Sequence, residues 1–89
     1  MTVFDLDAMI ADTRTLIEIE SPSGDLPQLQ KSAIALASMI ERYIGGKCEL
    51  VDSPKGPHVH WKGGDETTVM LLGHHDTVFP MGTLERLPF

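Results

Sequence analysis

The chain has 89 residues and a formal net charge of −6, enough for one small domain that buries a modest share of its surface and is marginally stable alone. The acidic balance lacks the basic footprint that nucleic acid demands, and it disfavours anionic membrane surfaces. The single cysteine, Cys48, forms no disulfide within the chain, and the N-terminus has neither a basic n-region nor a long apolar run, so a soluble, cytoplasmic protein is expected.

In chain order, Thr2 with Asp5 three residues later makes a capping-box-like start. Leu6, Met9, Ile10, Leu16 and Ile17 then recur at helical spacing with Thr13 on the same stripe, which predicts a first helix from Phe4 to Glu20. Ser21-Pro22-Ser23-Gly24 stops it, because a proline disfavours helix at the residue before it. Asp25 can cap a second helix, with Pro27 in its first turn and Gln28 at its third position. Leu29, Ala33, Leu36, Ala37, Ile40 and Ile44 line one side of that helix, and Gly45-Gly46 ends it. Both apolar stripes are expected to be core.

The pattern then changes to short extended segments. Lys47 to Asp52 reads as a strand, with Cys48 as a small core hydrophobe. Ser53-Pro54-Lys55-Gly56 is a turn signal. From Pro57 to Lys62 the chain alternates, with Val59 and Trp61 on one face and His58, His60 and Lys62 on the other. Gly63-Gly64-Asp65 is a second turn, and Thr67 to Gly73 reads as a third strand. That strand is apolar without alternation, as expected for one covered on both faces. Leu71→Ala should then cost about 2–5 kcal/mol through a core cavity. No further element is expected after Phe79. The fold class is therefore α/β, two N-terminal helices followed by three strands of a mixed sheet. Such a doubly covered strand needs more layers than these elements supply, so the chain reads as the opening of a larger domain.

Chemistry concentrates in Leu71-Leu72-Gly73-His74-His75-Asp76-Thr77-Val78. In extended backbone His74 and Asp76 leave on the same side, at the strand end where open α/β sheets bind ligands. A carboxylate beside an imidazole fixes the tautomer and raises the basicity of a metal-binding histidine. His75 should point the other way as a partly exposed neighbour. His58 and His60 could share a metal, but an exposed hairpin face is the better reading. Ser21-Pro22-Ser23-Gly24-Asp25 is either an active-site loop or a plain helix–helix connection. The chain contains no phosphate-binding glycine loop, nucleophile elbow or paired-cysteine zinc motif.

The segment from Leu71 to Val78 resembles the first metal motif of the dinuclear-zinc amidohydrolases and exopeptidases, the group that includes glutamate carboxypeptidase, acetylornithine deacetylase and succinyl-diaminopimelate desuccinylase. The preceding helices, the Ser21–Gly24 loop and the short strands follow the same layout. Gly82 and Leu87-Pro88-Phe89 resemble the stretch before that family's next motif. The resemblance implies that residues 1–89 are the N-terminal part of a zinc-dependent hydrolase catalytic domain. His74 would be a zinc ligand, and Asp76 the catalytic-site aspartate that hydrogen-bonds and tunes it.

The family's complete site holds two zinc ions, with cobalt or manganese left open as substitutes. Its bridging carboxylate and glutamate general base would lie beyond Phe89, and the full-length protein could form a homodimer. The implied reaction cleaves amide bonds of N-acyl amino acids or small peptides with a zinc-activated water, and this portion alone would be inactive. The alternative is a non-enzymatic α/β interaction module that binds a partner through an open sheet edge.

Overall fold

The computed structural model describes residues 4–89. Helix α1 spans Leu6–Glu18, and its N-cap is Asp5, whose carboxylate accepts the Ala8 N–H at 3.1 Å. Thr2, expected to open the cap, lies outside the described residues. Helix α2 spans Leu26–Ile44, with the Asp25 carboxylate accepting the Gln28 N–H at 3.2 Å and proline in the first turn. Gly45 ends it at a φ of 83°, a left-handed value that suits glycine, and its N–H donates to the Glu41 carbonyl. Asp12 joins the two helices by accepting from Arg42 at 3.0 Å and from the Tyr43 hydroxyl.

Only part of one apolar stripe becomes core, since Ile44 at the end of the α2 stripe is exposed and Leu36 and Ile40 are half-buried. On α2, Leu29, Ala33 and Ala37 are buried together with Ser32. On α1 no described residue is buried, and Leu6, Met9, Ile10 and Ile17 are all exposed. The expectation of a second core stripe is corrected: α1 lies beside α2 and its Arg14 meets the Phe89 ring at 5.0 Å, but these contacts leave its large apolar side chains open to water.

Strands β1, Glu49–Val51, and β2, His58–His60, form an antiparallel pair with Leu50 opposite Val59. Their connection is closed by the Ser53 hydroxyl donating to the Gly56 carbonyl at 2.6 Å and by the Gly56 N–H returning to the Ser53 carbonyl at 3.1 Å. Gly56, at a φ of 120°, sits so close to α2 that an added Cβ would meet Leu29 Cδ1 at 3.0 Å. The hairpin is also tied to the helix end. Trp61 Nε1 donates to the Gly45 carbonyl at 2.9 Å, and the Cys48 N–H donates to the Glu41 carboxylate at 2.7 Å.

The expected third strand does not form. Among the described residues the sheet has two strands, antiparallel rather than mixed. Leu71 and Leu72 are 93% and 90% exposed. A strand requires a neighbour for its N–H and C=O groups, and the β1–β2 pair offers none to residues 67–73. A third helix, α3, spans Thr83–Arg86 where no element was expected. The Glu20 carboxylate accepts the Gly82 N–H at 3.0 Å and the Leu84 N–H at 2.9 Å, pinning this turn to the end of α1. The molecule measures 43 × 40 × 18 Å, and its radius of gyration is 14.4 Å, against about 12 Å for a compact chain of this length.

Candidate metal-ligand site

The loop after α1 holds the histidine segment in register. The Thr77 N–H donates to the Ser21 carbonyl at 2.8 Å, and the Ser23 N–H donates to the Thr77 carbonyl at 2.9 Å. The two bonds form a parallel bridge between Pro22 and Thr77. Ser21 is fully buried, and its hydroxyl donates to the His75 carbonyl at 2.9 Å.

This bridge stands in for the missing strand. His75 turns toward α2, where its Nδ1 lies 2.9 Å from the hydroxyl of buried Ser32. His74 turns outward, its side chain 83% exposed. Asp76 curls back beside it, and Oδ1 lies 3.0 Å from His74 Nδ1. The other carboxylate oxygen, Oδ2, accepts from the Ser23 hydroxyl at 2.6 Å. That hydroxyl, followed by the His74 contact, holds the Asp76 carboxyl below the usual carboxylate range. An ionised acceptor facing Nδ1 favours the tautomer with its proton on Nδ1. The Nε2 lone pair is then left pointing away from the carboxylate, as a metal ligand requires.

The imidazole and carboxylate therefore meet as the i, i+2 spacing suggested, although no strand delivers them. One participant, Ser32, escaped the sequence reading, and two others, Ser21 and Ser23, entered it only with their role left open. Ser21 and Ser23 lie in a loop that equally suited a plain connection. Ser32 sits one turn after Leu29 on the buried side of α2, a polar residue in an apolar stripe and hence a legible signal for an internal partner.

The other candidates do not converge. His58 and His60 are exposed on the hairpin, with Glu49 opposite His60 in the ladder. Cys48 is half-buried just before β1, and desolvation, followed by the nearby Glu41 charge, pushes its thiol up. Among the described residues no three His, Cys, Asp or Glu side chains gather as a metal-binding group. Zinc sites ordinarily draw three or four ligands from the protein. The residues present thus fit one ligand position and its supporting carboxylate, and they do not complete a site. A shallow hollow beside Asp76 is lined by Ser23, Gly24, Leu26, Pro54 and Lys55. No helix among the described residues is long and apolar enough to cross a membrane. Comparison with family models, curated proteins and solved structures finds no match to this chain.

Proposed function

We propose that this chain contributes one metal ligand, His74, and its tuning carboxylate, Asp76, to a zinc-dependent amidohydrolase of the glutamate carboxypeptidase and acetylornithine deacetylase kind. The observation that carries the reading is the His74 Nδ1 to Asp76 Oδ1 contact of 3.0 Å on an outward-facing ring. It is the arrangement by which a carboxylate orients a ligating imidazole. Bound zinc supplies Lewis acidity and a water of lowered pKa. The part of this chain is to present Nε2, to hold the proton on Nδ1, and to keep the ring from turning. The general base and the remaining ligands are not among its assigned residues. The substrates are amide bonds in N-acyl amino acids or small peptides.

The test measures the zinc content of the full-length protein and its hydrolysis of N-acyl amino acids. His74→Ala should strip metal and activity while changing stability by less than about 0.5 kcal/mol, as for an exposed side chain without core contacts. Unchanged metal content and turnover in that variant would overturn the reading.

A second reading draws on a different observation. Val69 to Leu72 are exposed and belong to no ladder, so the chain could act as a non-enzymatic module that accepts a partner strand along this segment. Full function with both His74 and Asp76 replaced would favour the module.

A further inference from the structure

The loop that precedes α2 is built around Ser23. The Asp25 N–H donates to the Pro22 carbonyl at 3.0 Å, which closes a four-residue turn with Ser23 at its corner. Gly24 follows at a φ of 90°, a conformation that an L side chain rarely takes. The backbone of Ser23 is fixed from the other side by its N–H bond to the Thr77 carbonyl at 2.9 Å. Its hydroxyl therefore has a defined position. It lies 2.6 Å from Asp76 Oδ2 and 3.1 Å from the Thr77 carbonyl oxygen. A hydroxyl has one proton to give. The Thr77 carbonyl already receives the Ser23 N–H, and the carboxylate is the closer and stronger acceptor.

We propose that Ser23 is a positioning residue for the His74–Asp76 pair, acting from 53 residues away in the chain. By occupying Oδ2 it fixes the carboxylate rotamer, so that Oδ1 faces His74 Nδ1 at 3.0 Å, nearer and more strongly accepting than the Asp76 carbonyl at 3.2 Å, and favours the Nδ1–H tautomer with Nε2 outward. Asp76 is exposed enough to rotate freely without this bond, its side chain being 39% accessible. The catalytic significance of the contact rests on the hydrolase reading, but the contact itself does not.

The experiment reads the tautomer directly, with neither metal nor substrate. Long-range proton–nitrogen correlation spectra of the labelled full chain give the Nδ1–H to Nε2–H ratio of the His74 ring. The wild-type ring should favour Nδ1–H. Ser23→Ala should lower the ratio by roughly threefold to tenfold, the loss expected for one ordinary hydrogen bond at a solvent-accessible site. Ser23→Thr, which keeps the hydroxyl, should retain it. Hydrogen exchange of the Thr77 amide, which reports the loop bridge, should be the same in all three proteins.

The proposal is overturned if the wild-type ring has no Nδ1–H preference, if Ser23→Ala leaves the ratio unchanged, or if Ser23→Thr loses it equally. It is also overturned if Thr77 exchange accelerates together with the tautomer change, since Ser23 would then merely hold the loop. Failure of the hydrolase reading would appear instead as unchanged zinc content in His74→Ala, with the tautomer data intact.

Discussion

Asp76 receives two contacts whose strength depends on its charge, from the Ser23 hydroxyl and from His74 Nδ1. Asp76→Asn keeps the shape and removes the charge, so if the proposed hydrolase reading holds it should cost about 10–100-fold in metal affinity or turnover. Equal values for both forms would show that the carboxylate does not tune the ligand. Acid should act in the same direction. The carboxyls of Asp76 and Glu20 are both held below their usual range. For Asp76 the cause is chiefly the Ser23 hydroxyl, and for Glu20 chiefly the Leu84 and Gly82 N–H groups. A group whose folded pKa is depressed stabilises the fold fully above its unfolded value, and this contribution fades as pH falls toward the folded one. The Ser23–Asp76 and Glu20–α3 links should therefore be intact at neutral pH and released only below the ordinary carboxylate range. Acid titration of the Gly82 and Leu84 amide shifts checks this, with Glu20→Gln expected to abolish the transition.

At the scale of elements, burial separates two leucines that look alike in sequence. Leu29 is 4% exposed, under the hairpin turn at Gly56, and Leu29→Ala should destabilise by about 2–5 kcal/mol. Leu71 is 93% exposed, so Leu71→Ala should stay within about 0.5 kcal/mol. This reverses the cost expected from its place in an apolar run. Denaturant unfolding of the two variants decides the matter. The helices were legible because their signals are local: Asp25 caps α2 and Gly45 terminates it, whereas α1 is capped by Asp5, which the sequence reading had placed three residues after a cap at Thr2. The hairpin was legible too, from the alternation around Val59 and the turn at Gly56. The third strand was misread because an apolar run reports only that a segment avoids water. A ladder partner is a property of other residues, and among the described residues 67–73 have none. The loop bridge was illegible for the converse reason. Ser21 and Ser23 meet Thr77 across more than fifty residues, and no local pattern encodes that meeting.

Across the whole molecule, a thickness of 18 Å against extents of 43 and 40 Å describes a slab with little room for a core between layers. Large apolar side chains on α1 and along Val69–Leu72 consequently face water. Exposed apolar patches of this kind mark contact surfaces or aggregation-prone ones. The chain should bind hydrophobic dyes and self-associate as concentration rises. Leu71→Asp together with Leu72→Asp should reduce both, as read by dye fluorescence and sedimentation, and no change would locate the sticky surface elsewhere. The sequence by itself determined the two long helices and the hairpin and placed His74 within reach of Asp76, because each depends on residues within a few positions of one another. Only the tertiary structure decided that α1 and the Leu71 run stay exposed, that His75 turns inward to Ser32, and that Ser23 holds Asp76. Burial and long-range hydrogen bonds depend on which distant segments meet, and that is set by the packing of the whole chain.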